Sequence, residues 1–232
     1  MKIRRGGVQT ARGFLFELTG GRLCLDFANT VDNRPTAQPK ELLGSYSDLL
    51  SWSVQAGALQ PADAGRLARL AGRRAPEADR VLRRAREIRE AIFGVFSDLE
   101  GGRRTRDQAL AVLEDALPRA LSRLRLVPAK GRFEWGWTRE EDALDAMLWP
   151  VIKSTAELLT SGELERVREC AAAECAWLFI DGSRNGTRRW CDMTVCGNRN
   201  KARRFYSRSK PSSAAGKDSA GRHSARAQSR DG

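Results

Sequence analysis

The sequence predicts an α+β chain, a mainly α-helical body with two small β-hairpins, followed by a compact module organised by cysteine. Three observations carry this. Between Pro76 and Leu99 apolar residues recur at steps of three and four, at Val81, Ala85, Ile88, Ile92, Val95/Phe96 and Leu99, which lines them up along one buried helical stripe. Leu124 to Val127 and Phe133 to Trp137 alternate at period two around a Pro128-to-Gly131 turn, which is a hairpin with Phe133, Trp135 and Trp137 on one face. Four of the five cysteines form two pairs of equal spacing, Cys170-x4-Cys175 and Cys191-x4-Cys196. With 232 residues, 41% of them hydrophobic and six Trp, the chain can build one ordinary core and a small appended module.

In chain order, residues 1–12 read as disordered. Phe14 to Leu18 and Arg22 to Leu25 suggest a hairpin around Gly20-Gly21. Cys24, between two leucines, reads as a buried small hydrophobe. Arg34 to Gly44, with two prolines, reads as a loop. Ser47 is the expected N-cap of a helix through Leu49, Leu50 and Trp52 that stops at Gly57, and Pro61 opens the next helix. The arginines of the 76–99 helix, at 80, 83, 84, 86 and 89, alternate with acids and suggest a solvated, salt-bridged face. Thr105-x-x-Gln108 and Thr138-x-x-Glu141 have the form of capping boxes. The helix from Thr138 should kink at Pro150, resume to Leu159 and break at Thr160-Ser161-Gly162. The three-aromatic hairpin face is expected to be covered by a helix. The implied layout is a body over 13–160, the cysteine module with a basic helix over 161–210, and a disordered basic tail over 211–232.

Two short cysteine hooks on one connector suit a tetrahedral Zn²⁺ site, since each turns two thiolates toward one point at about 2.3 Å. Two disulfides are the alternative, disfavoured because nothing suggests secretion. Four cysteine ligands, Cys170, Cys175, Cys191 and Cys196, leave no open position for water, so one structural zinc is expected and a catalytic one is not. Its loss should unfold residues 170–206 and leave the helical body largely intact.

The formal net charge is +12, with a pI near 10.2. Ser183 to Lys210 carries +8 of it and the tail +2, so residues 1–182 are nearly neutral. The cysteine module is the basic pole, which points to an anionic partner. From Cys196 onward the sequence reads as a short helix bearing Arg199, Lys201, Arg203, Arg204 and Arg208, with Phe205 and Tyr206 available to pack or stack on a base. Arg188 and Arg189 either join that surface or neutralise the thiolates.

Arg188-Arg189-Trp190-Cys191-Asp192-Met193 and Cys196-Gly197-Asn198-Arg199-x-Lys201-Ala202-Arg203-Arg204 resemble the CGNR zinc finger. CLDFANTVDNR, Cys24 to Arg34, with SYSDLLSW, Ser45 to Trp52, looks like the ABATE domain that precedes this finger in bacterial, mostly actinobacterial, proteins. The resemblance runs from about Phe14 to Arg208 and implies a stress-responsive transcription regulator with a zinc-dependent nucleic-acid-binding module. It also makes Asp26, Asn29 and Arg34 candidate polar contacts of a ligand pocket in the body; capping a turn or helix end is the other reading of Asp26 and Asn29.

The one histidine, His223, lies in the tail, and no glycine-rich phosphate loop follows a strand, so the sequence offers no His-based catalytic site and an enzyme is not expected. No apolar run approaches the roughly 18 residues of a membrane span, and no signal-like segment follows the basic N-terminus; a cytoplasmic protein is expected. The expected partner is nucleic acid, duplex DNA foremost. Single-stranded RNA and an acidic protein meeting a zinc-stabilised interaction module are the alternatives. The oligomeric state is not legible.

Overall fold

The computed structural model describes residues 6–11, 13–138 and 143–202. Over that span the chain runs β1 (Gly7–Thr10), β2 (Gly13–Phe16), α1 (Leu23–Ala28), β3 (Val31–Asp32), β4 (Lys40–Glu41), α2 (Tyr46–Gln55), α3 (Pro61–Arg73), α4 (Ala75–Glu100), α5 (Asp107–Leu121), β5 (Leu124–Ala129), β6 (Arg132–Trp137), α6 (Leu148–Leu159), a 3-10 turn (Gly162–Arg166), β7 (Val167–Glu169), β8 (Leu178–Ile180) and a π-helical turn (Met193–Gly197). The strands form four separate antiparallel pairs, β1 with β2, β3 with β4, β5 with β6 and β7 with β8. The fold is the expected mainly helical body with small hairpins and a terminal cysteine cluster.

The axis is α4. Its 26 residues bury Leu82, Ala85, Ile88, Ile92, Val95 and Phe96, and α1, α2, α3 and α5 pack around that stripe. Its polar face is less solvated than the alternating charges suggest. Arg89 is only 4% exposed, because β4 brings Glu41 alongside it; Arg89 donates to the two Glu41 carboxylate oxygens at 2.6 and 2.7 Å. Arg86 likewise donates to the Leu43 carbonyl.

Several local expectations are corrected. The first hairpin lies earlier, over residues 7–16, and residues 22–25 begin α1 instead of a strand. Leu25, Phe27 and Ala28 reach the core together only on a helix, and the Asp26 carboxylate accepts the Gly20 N–H at 2.8 Å to hold its start. Gly20 is required there, since an added Cβ would lie 2.8 Å from the Asp26 nitrogen. Residues 7–10 are therefore ordered as a strand, while 1–5 and 12 lie outside the described residues. Ser45, not Ser47, caps α2: its Oγ accepts from Asp48 N–H and the Asp48 carboxylate accepts from Ser45 N–H. The Thr105 box does not form. α5 starts after Arg106, whose Nε reaches across Gly94 to Asp98 at 3.3 Å.

Pro150 does not kink a long helix. α6 begins at Leu148, so Pro150 lies in its first turn, where a missing N–H costs no intrahelical bond. Of the Thr138 box, residues 139–142 lie outside the described residues. The aromatic face of β6 is not covered as expected. Trp137 meets α6 ring to ring, 6.1 Å from Trp149, and Trp135 meets it only through the Lys153 ammonium 5.8 Å from its ring, so Phe133 and Trp135 remain 67% and 59% exposed. The hairpin is longer than the part of it that α6 can reach.

Candidate zinc centre and nucleic-acid interface

Each cysteine is placed by a different piece of local structure. Cys170 follows the end of β7 and its N–H donates to the Trp177 carbonyl at 2.8 Å. Cys175 sits in the turn between β7 and β8, where Ala176 takes φ +57°. Cys191 is delivered by the 181–190 loop. That loop is organised by Asp181, fully buried, which accepts the N–H groups of Ser183 at 2.8 Å and Arg188 at 2.9 Å. The Ser183 hydroxyl together with these amides holds the Asp181 carboxyl below the usual carboxylate range. Cys196 lies in the π-helical turn, whose first residue is capped by Asp192 through Val195 N–H at 2.8 Å.

The four Sγ atoms all lie within 4.8 Å of one another, and all four residues are buried. Two of the separations, Cys175 to Cys191 at 3.6 Å and Cys191 to Cys196 at 3.7 Å, test the fit. A tetrahedron of sulfurs about 2.3 Å from one Zn²⁺ has edges of about 3.8 Å, and a disulfide would need about 2.05 Å. The cysteines are free of disulfides, and the donor set and spacing fit one structural zinc. Sulfur contacts to Cys170 push the Cys175 and Cys191 thiols up, an opposition that a divalent cation among them reverses. Trp177, Phe179 and Trp190 wall the cluster with apolar surface.

The module is docked on the body rather than tethered. Asn29, 2% exposed, donates its Nδ2–H to the Leu178 carbonyl at 2.9 Å and accepts the Leu178 N–H at 2.9 Å. Ile180 N–H donates to the Gly20 carbonyl, Trp177 Nε1–H donates to the Val31 carbonyl, and Ser97 Oγ–H donates to Glu169. These contacts join β8 to α1 and β7 to α4.

The expected contact residues do not behave alike. Arg188 is turned inward over the Phe179 ring at 4.5 Å and donates to the carbonyls of Trp190, Cys191 and Ile180. Arg189 and Lys201 are exposed, and Arg199 is exposed with its guanidinium 3.6 Å from Glu174. Residues 198–202 are helical, as expected after Cys196; Arg203, Arg204 and Arg208 lie outside the described residues. Asp26, Asn29 and Arg34 do not converge. Asp26 holds Gly20 and Asn29 holds Leu178, whereas Arg34 stacks 3.9 Å over Phe93, pairs with Glu90 and lines a cavity of about 720 Å³ between α4 and α5. Neither Asp26 nor Asn29 lines that cavity. Sequence reasoning missed Asp181 as the organiser of the 181–190 loop, although Asp181-Gly182-Ser183 is a turn signal that points to it.

Among the described residues no helix is long and apolar enough to cross a membrane. No curated protein matches the chain. Two family models match in succession: residues 21–162 fit ABATE, described as "Putative stress-induced transcription regulator", and residues 166–209 fit the CGNR zinc finger. With more than half its length in the first and the zinc-type cysteine cluster in the second, the chain belongs to the ABATE family and carries a C-terminal CGNR zinc finger.

Proposed function

We propose that this protein is a non-enzymatic, cytoplasmic transcription regulator that binds duplex DNA through its zinc module. The observation that carries the reading is the way charge and docking divide the module. The β8 side is taken up by the body through Asn29, Gly20 and Val31. Arg189, Arg199 and Lys201 are exposed and take no part in these docking contacts, and the sequence continues with Arg203, Arg204 and Arg208. Zinc supplies rigidity to that surface; phosphate attraction comes from the guanidinium and ammonium groups. Arg188, committed to three carbonyls, holds the Cys191 loop in place instead of contacting phosphate. The body senses a ligand or partner, and the direct bonds from α1 and α4 into β7 and β8 support a route from it to the module.

The test is fluorescence anisotropy of the full zinc-loaded chain with duplex DNA and single-stranded RNA over a salt series. A preference for duplex with a steep salt slope is expected. Lys201→Glu with Arg204→Glu should lower affinity at least about tenfold without changing the melting curve. Unchanged binding by that variant would reject this surface, and stronger competition by single-stranded RNA would move the assignment to RNA.

A further inference from the structure

The β5–β6 hairpin has one apolar face. In the observed register Leu124 lies opposite Trp137, Leu126 opposite Trp135 and Pro128 opposite Phe133, so these six side chains share a face, while Arg125, Arg132 and Glu134 project from the other. At its base the apolar face rests on α6, through Trp137 against Trp149. Toward its tip Leu126, Phe133 and Trp135 are 62%, 67% and 59% exposed.

We infer that a second copy of this chain covers the tip, pairing β6 antiparallel with its own β6 about Phe133. The edge is open. Among the described residues β6 has no strand partner except β5. Pro128 has no N–H, so the Pro128–Phe133 pair is a non-hydrogen-bonded one, which turns the main-chain groups of Phe133 and Trp135 outward. The edge is also complementary to itself. Arg132 and Glu134 flank Phe133 on the polar face and pair with each other there, Arg132 Nε donating to Glu134 at 2.9 Å. Pairing about Phe133 sets each also opposite its counterpart in the partner, Arg132 against the partner's Glu134 and Glu134 against the partner's Arg132, so the two pairs merge into one cluster of alternating charge. Trp135 then faces the partner's Gly131, which leaves room for the indole.

The same pairing lays each tip beside the base of the other hairpin, on the side where α6 lies, so the exposed rings gain cover from the second body. Two aromatics and a leucine offer roughly 300–400 Å² per copy, about half of the roughly 800 Å² per partner of a standard interface. This is a reversible dimer of micromolar strength. Base stacking is a poorer match for the face: Arg125 and Arg132 project from the opposite one, and Lys153, 5.8 Å from the Trp135 ring, is already paired with Glu157.

Sedimentation velocity of the full zinc-loaded chain from about 1 to about 100 µM tests this. A concentration-dependent dimer is expected for the wild type and a monomer for Phe133→Asp. Arg132→Glu and Glu134→Arg should each weaken the dimer about tenfold, and the double reversal, which restores opposite charges across the pairing, should recover it. Circular dichroism melts confirm that each variant folds. A monomeric wild type at the highest concentration, a dimer indifferent to Phe133→Asp, or a double variant as weak as the singles would each overturn the proposal.

Discussion

Asn29 presents a side-chain amide where a third strand would present a peptide group, giving and taking one hydrogen bond with Leu178. Asn29→Ala leaves two buried main-chain groups unpaired, and urea denaturation should show a loss of about 2–4 kcal/mol. Asn29→Leu should be no better, since its bulk supplies neither bond. Asp26 illustrates the opposite pressure. Burial pushes its carboxyl up to about 6, although the Gly20 amide opposes the shift. The folded protein therefore holds this proton more tightly than the unfolded chain, whose carboxyl titrates near 3.9. The stability it confers is complete below that value and is lost as pH rises through about 6. Asp26→Asn keeps an oxygen for the Gly20 N–H and removes the charge. It should exceed the wild type by about 1–2 kcal/mol at neutral pH, with the difference shrinking as pH falls toward 5. A difference independent of pH would refute the assignment. The capping role of Asp26 was among the readings its sequence allowed, because Gly20 lies only 6 residues away; the pairing of Asn29 with Leu178 was not, because it joins residues 149 apart.

At the scale of elements, what the sequence disclosed follows the physics of locality. The 76–99 helix and the 124–137 hairpin are set by periodicity and turn chemistry within a few residues, and both form, although the buried stripe is shorter than expected: Val81 is half-buried and Leu99 is exposed. α1 was misread because LCLDFA suits either a strand or a helix, and only its packing against α4 and α6 decides. Pro150 was misread because its effect depends on where the helix begins. Pro150→Ala should accordingly change stability by less than about 1 kcal/mol, not the roughly 3 kcal/mol that relief of a helix-interior proline would give; thermal and chemical melts separate the two. The ion pair joining β4 to α4 should matter more. Glu41→Ala removes two short bonds from the buried Arg89, leaving it only the Nε bond to Glu90 and a long contact to Thr30, and should cost about 2–3 kcal/mol. Glu41→Gln, which still accepts one bond, should lie between.

For the whole molecule, the four metal-binding cysteines were fully legible, because a repeated x4 spacing states the donor set without reference to any other part of the chain. The docking of that module was legible only in how few residues separate Leu159 from Cys170. The contacts themselves add a consequence: zinc holds Trp177 and β8, and those hold Val31 and Asn29 of the body. Chelation should therefore lower the melting temperature of the body by about 5 °C or more while leaving it folded, read by circular dichroism with and without metal. An unchanged body transition would mean that the interface contributes nothing. The same interface bears on biosynthesis. Gly20 and Asn29 leave the ribosome some 150 residues before Leu178 and Ile180. β8, the last strand among the described residues, thus meets a finished template that saturates its outer edge. A module expressed by itself lacks that template and exposes a naked strand, so it should be the aggregation-prone piece of this protein, whatever its metal content.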